Sequence, residues 1–145
     1  FDGCAAHAAM DRYFRKRPLS AQQRSFLPLV QAIERTLKKF GGGRVRSECR
    51  LAWNAFGRGR ADAVTATDTS NIVLELKVVA QIPSTPRKAD VAQLAAYTAM
   101  CRHKHRRATS EAVLVYADLG RGVVRFNHFR ETSGLCAQLM EALAA

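Results

Sequence analysis

The chain has 145 residues, 48% of them hydrophobic, which is the size and apolar content of one globular domain with a single core. That content excludes a disordered chain, and a mean hydropathy of −0.17 without a long apolar run argues against a membrane span. Twenty-three Lys and Arg against twelve Asp and Glu give a net charge of +11, a surface that attracts polyanions and gains from counterion release on a phosphate backbone.

A membrane-surface patch is the other use of such charge. The cations here are mostly Arg scattered over the whole chain rather than gathered on one amphipathic helix, and this favours nucleic acid as partner. Cys4, Cys49, Cys101 and Cys136 lie far apart with no CxxC pair, which is neither a disulfide framework nor a zinc ribbon. Free thiols imply an intracellular, reducing compartment. The chain opens on Phe1 with no basic and then apolar leader, so we expect no signal peptide and a piece of something larger, read as one domain over 1–145.

In chain order, residues 1–18 are Ala-rich and then basic, a short helix or a loosely held N-terminal arm. Ser20 reads as an N-cap for a helix over 21–40, with Phe26, Leu29, Val30, Ile33 and Leu37 at helical spacing. Pro28 either kinks that helix or marks its true start, and Gly41-Gly42-Gly43 ends it. Three strand-like runs follow: 45–54, 60–67 and 71–79. Gly57 and Gly59 separate the first two, and the polar turn 67–71 separates the second from the third. The third is nearly continuously apolar, as a central strand covered on both faces must be. Thr85 and Pro86 read as N-cap and first residue of a helix over 87–103. A buried strand at 112–117 precedes a hairpin partner at 122–127, and a last helix covers 133–143. The order is that of an α/β domain with a mixed central sheet.

Two charges interrupt the most hydrophobic strand. Glu75 and Lys77 are two apart, so a strand turns both to one face. Burying both is costly unless each has a partner, and a buried ion pair by itself does little for stability. Asp62, thirteen residues upstream across the hairpin turn, is placed to meet Glu75. Two carboxylates on neighbouring strands offer hard oxygen ligands for Mg²⁺ or Mn²⁺, and a lysine beside them can act on a metal-activated water and balance charge on a phosphate. The bare pattern Asp, gap, Glu-x-Lys arises by chance about once in a chain of this length. Its weight comes from the hairpin and the otherwise apolar strand.

Gly59-Arg60-Ala61-Asp62, then Leu74-Glu75-Leu76-Lys77, then Gln93-Leu94-Ala95-Ala96-Tyr97 resemble the PD-(D/E)XK nuclease superfamily, in particular its RecB-like and Cas4-like branch. The likeness runs from about Glu48 to Ala117. It implies a restriction-endonuclease-like core of order αβββαβ and hydrolysis of phosphodiester bonds in DNA or RNA, with DNA favoured. It also implies Asp62, Glu75 and the Leu76 carbonyl as metal ligands, Lys77 acting on the attacking water, and Gln93 and Tyr97 beside the site and the nucleic-acid strand. No proline precedes Asp62, a departure from the pattern. A further acidic ligand on the first helix or strand would be Glu34 or Glu48, although each has basic neighbours that give it a plain surface role. Independently of any family, Gln93 and Tyr97 at i and i+4 share one helical face, where Tyr97 serves equally well as ordinary core.

Arg60 joins Arg87 and Lys88, at the start of their helix, as candidate phosphate contacts, although water screens two such exposed charges well. Cations at a helix N-terminus oppose its dipole, which suggests another use for them. The run 101–107 does not match a zinc site and reads as a basic helix end whose Arg102 and Lys104 touch backbone phosphate. His7 and His128 have no sequence neighbours of chemical interest. The rival readings are a catalytically silent nucleic-acid-binding module and a basic surface that docks an acidic protein.

Overall fold

A computed structural model describes residues 3–53, 57–106, 109–130, 132, 134, 135 and 137. Helix α1 spans Gly3–Phe14. Four alanines give it strong helix propensity, and Ala6, Ala9 and Met10, at i, i+3 and i+4, bury one face of it. Of the two readings for residues 1–18, the helix therefore holds over most of the segment, and its inner face is core.

The expected single helix over 21–40 is two. Ser20 caps α2 (Ala21–Arg24) through a capping box: its hydroxyl accepts from the Gln23 N–H at 3.1 Å and the Gln23 carboxamide oxygen accepts from the Ser20 N–H at 2.9 Å. Helix α3 then starts afresh at Leu27–Lys39, with Pro28 in its first turn, where a missing N–H costs nothing. It buries Leu29, Val30, Ile33 and Leu37.

Five strands form one mixed sheet in the order β1-β2-β3-β4-β5. Strands β1 (Arg46–Trp53), β2 (Gly57–Ala66) and β3 (Ser70–Val78) form an antiparallel meander. Helix α4 (Lys88–His105) crosses over to β4 (Thr109–Asp118), which lies parallel to β3, and β5 (Val123–Phe129) returns antiparallel. Ile72, Leu74 and Leu76 of β3 pack against α1 and α3, while Val73 packs in the cluster that holds the α4 residues Val91, Leu94 and Ala95. Both faces of the central strand are thus covered, as its composition required.

Several boundaries move, among them the start of β4, which is Thr109 and not Ala112. Strand β2 begins at Gly57, not at Arg60, because Gly59 is a strand residue whose missing side chain makes room for Tyr97. Helix α4 begins two residues after Pro86, with Arg87 as N-cap, because the buried Tyr116 hydroxyl accepts the Arg87 N–H at 3.0 Å and donates to the Asp90 carboxylate at 2.7 Å. The last predicted helix falls mainly outside the described residues; Gly134, Leu135 and Ala137 are helical and Leu135 is buried. No helix among the described residues is long and apolar enough to cross a membrane.

Candidate active site

The alternation of β2 slips by one residue at Asp62. Ala61 packs on the α4 side and Ala63 on the α1–α3 side, and Val64 is back on the α4 side. Between the pairs Ser47↔Ala63 and Cys49↔Ala61 the register is interrupted at Glu48, whose φ of 48° is rare for a residue with a side chain. This local reversal turns Asp62 toward β3 instead of out to one face. Its N–H donates to Glu75 Oε1 at 3.0 Å, and its Oδ2 accepts from the Leu76 N–H at 2.8 Å. Both carboxylates are deeply buried, with Asp62 8% and Glu75 3% exposed. Burial, then the Asp62 charge alongside, pushes the Glu75 carboxyl up to about 8.

Lys77, one pleat further along the α4-facing side of β3, donates to Gln93 Oε1 at 2.5 Å. Gln93 in turn donates to the Tyr97 hydroxyl at 3.2 Å. The i, i+4 pair on α4 thus continues a polar chain from the end of β3. The Tyr97 ring lies over Gly59: a Cβ added there would stand 2.2 Å from Tyr97 Cε1, so only glycine leaves the ring its place.

The residue that sequence reasoning passed over is His7. Carried in by α1, its Nε2 lies 3.2 Å from Asp62 Oδ2 and 2.9 Å from the Leu76 carbonyl oxygen, and its Nδ1 lies 2.6 Å from the Gly3 carbonyl. Each ring nitrogen faces an acceptor oxygen, an environment that favours the ring protonated on both nitrogens. The hydrogen bond to Asp62 raises its pKa to about 9, although burial works against it.

Glu34 and Glu48 stand apart from this cluster in their contacts. Glu34 accepts from the Tyr13 hydroxyl at 2.8 Å and faces Lys38 at 3.9 Å, and Glu48 faces Arg60 at 3.6 Å. Arg60 and Lys104 line one groove, Arg102 lines a separate cavity beside Trp53 and Arg106, and Arg87 and Lys88 are exposed at the start of α4. His128 is structural: it pairs with Glu111 at 2.8 Å and stacks on Phe40. Cys4, Cys49 and Cys101 are free thiols.

The donor set fits a hard divalent cation. It comprises two carboxylates, a main-chain carbonyl and an imidazole nitrogen. Among the described residues, no three His, Cys, Asp or Glu side chains form a ready-made metal cluster. In this arrangement Glu75 Oε1 accepts from the Asp62 N–H, and His7 Nε2 lies 3.2 Å from Asp62 Oδ2.

No protein-family model and no curated protein matches the sequence. Among solved structures, a "putative exonuclease" from Eubacterium rectale overlays on 97% of this chain with a TM-score of 0.59 and 16% sequence identity. The likeness shows a shared α/β fold with a mixed central sheet. The chain spans 62% of that protein's length, and at this identity the likeness is one of fold. The structure of SSO0001 overlays on 97% of the chain and 69% of its own, at 17% identity and a TM-score of 0.47, too slight to bear on function.

Proposed function

We propose that the chain is a Mg²⁺- or Mn²⁺-dependent nuclease of the PD-(D/E)XK type, hydrolysing phosphodiester bonds in DNA by attack of water. The observation that carries this reading is the convergence of His7 Nε2, Asp62 Oδ2 and the Leu76 carbonyl beside buried Glu75, with Lys77 on the same strand. Asp62, Glu75, the Leu76 carbonyl and His7 would hold the ion. Once bound, it supplies a water of lowered pKa and neutralises charge on the scissile phosphate.

Everything else falls to the chain. Asp62 and Glu75 bring two carboxyl groups into one buried pocket, where the Asp62 N–H donates to Glu75 Oε1. Gln93 aims Lys77 Nζ, which donates hydrogen bonds to the attacking water and to a phosphate oxygen and balances the charge that develops there. Tyr97 holds Gln93 in the orientation that presents its oxygen to Lys77. A surface of +11 draws the polyanion to the site.

The absence of a ready-made three-side-chain cluster among the described residues favours a second reading, a silent nucleic-acid-binding module on the same fold. Labelled single-stranded, double-stranded and branched DNA and RNA, incubated with Mn²⁺, Mg²⁺ or EDTA, separate the two. The nuclease cuts only with metal, and Lys77→Ala and Asp62→Ala abolish cutting while binding persists. Tight, salt-sensitive binding without any cleavage leaves the module.

A further inference from the structure

The hairpin of β1 and β2 carries an arginine array that the proposed chemistry does not use. Arg50 lies directly opposite Arg60 in the register, and Ala52 opposite Arg58. Residues two apart on a strand share a face, as do residues directly opposite each other, so Arg50, Arg58 and Arg60 rise from one face of the hairpin. All three are exposed, and like charges directly opposite each other destabilise a sheet. Within the array, Arg60 pairs with Glu48 at 3.6 Å. Nothing in the packing of the hairpin calls for the other two guanidinium groups.

The array borders a built groove of about 610 Å³. Arg50, Arg58, Arg60 and Lys104 supply its charge, and Leu51, Ala52 and Gly59 line it between them. Lys104 is fixed over the edge strand by donating to the Arg50 carbonyl at 3.3 Å. Cations around a small, largely apolar lining suit a chain of phosphates joined by sugars. The groove also leads to the candidate active site by two routes. Along β2, Arg58, Arg60 and Asp62 occupy alternate positions, so at the usual strand rise Arg60 is ~7 Å and Arg58 ~13 Å from Asp62. Beside it, Gly59 rests against Tyr97, the end of the polar chain that begins at Lys77.

We infer that this groove binds the phosphodiester backbone of the substrate strand on one side of the cut, so that recognition extends beyond the scissile phosphate onto the β1–β2 hairpin. The inference rests on the nuclease reading for what happens next to it, but the groove's own occupant is testable without cleavage. A long strand engages both centre and groove, whereas a fragment too short to reach Arg58 engages the centre alone.

The test is binding of fluorescein-labelled oligothymidylate, 4 and 20 nucleotides long, in EDTA across a salt series. It compares wild type with Arg50→Gln, Arg58→Gln, the double variant and the remote control Arg24→Gln. We expect wild type to favour the longer strand and each hairpin variant to flatten the log affinity against log salt line for that strand by about one unit. The double variant should lose at least tenfold in affinity for the 20-mer, with Arg24→Gln near wild type. Circular dichroism should show the variants folded with unchanged or raised Tm, since each removes a like-charge contact. Arg58→Lys, which keeps the charge, should restore the salt slope. Equal affinity and slope in wild type and the double variant would overturn the inference, as would polyglutamate binding as tightly as the 20-mer at matched salt. Because no metal is present, a chain that cleaves nothing still reports on the groove, so the two readings fail separately.

Discussion

His7 makes a cation of itself where the expected ligands meet. Its Nε2 has two acceptors, Asp62 Oδ2 and the Leu76 carbonyl, and the proton it donates there sits between groups that a divalent ion would bridge. Removing the ring should therefore cost metal affinity first. We expect His7→Ala to weaken Mn²⁺ binding by at least the ~10–100-fold that outer partners of a metal site are worth, and to raise the Mn²⁺ needed for half-maximal cleavage in parallel. Calorimetric titration with Mn²⁺ checks this; an unchanged affinity would reduce His7 to an ion-pair partner of Asp62. The carboxylates and the lysine of this site were legible in the sequence because they are local. A hairpin brings residues thirteen apart together, and a period of two sets Glu75 and Lys77 on one face. His7 was not legible, because it arrives from 55 and 69 residues away through the packing of one helix on a sheet. The available signal was a lone histidine flanked by Ala6, Ala9 and Met10, small or flexible core residues that let the helix approach closely.

Two contacts hold α4 beside the candidate site. At its start, the Tyr116 hydroxyl bridges the Arg87 N–H and the Asp90 carboxylate, and burial followed by Asp90 raises that phenol to about 12. Tyr116→Phe leaves both partners unmet and should cost ~1–3 kcal/mol in urea unfolding. A loss within error would mean that water replaces the hydroxyl. About two to three turns further along α4, Gly59 seats Tyr97. Gly59→Ala forces a Cβ against the ring, with an expected cost of ~1–3 kcal/mol, and displaces Tyr97 from Gln93. Combined with Tyr97→Ala the two costs should fall short of their sum, because the clash needs both residues; a double-mutant cycle on unfolding free energies reads this directly, and strict additivity sinks the contact. The same glycine shows how far pattern reading reached. The meander, the crossover helix and the β4–β5 hairpin follow from apolar runs and turn residues. Gly59 looked like a strand break because its partner ring is 38 residues distant, and Pro28 could not tell a kink from a new helix without the α2 cap that precedes it.

Across the whole molecule, the proposed site would couple protons, metal and stability. Glu75 has its folded pKa raised to about 8 from an ordinary 4.5, and His7 to about 9 from 6.5. In both cases the folded chain keeps a proton that the unfolded chain has lost, so each stabilising contribution is full below the unfolded value and drains as pH rises toward the folded one. The two windows, 4.5 to about 8 and 6.5 to about 9, overlap between 6.5 and 8. Metal-free protein should therefore lose Tm progressively from pH 5 to 9, most steeply across that overlap. A divalent ion held by the same atoms acts in the opposite direction, since it binds Glu75 as carboxylate and His7 Nε2 without its proton. Its apparent affinity should climb with pH, by up to about tenfold per unit for each proton displaced, and its binding then stabilises the folded state by mass action. Differential scanning calorimetry from pH 5 to 9, with EDTA or with saturating Mn²⁺, should show a falling Tm in the first series and a flat or rising one in the second. Parallel curves would mean that the ion does not bind where these two protons sit. Convergence at low pH and separation above pH 7 would tie the metal to His7 and Glu75, because in the described site these are the groups whose protons are held tightly enough to compete with it.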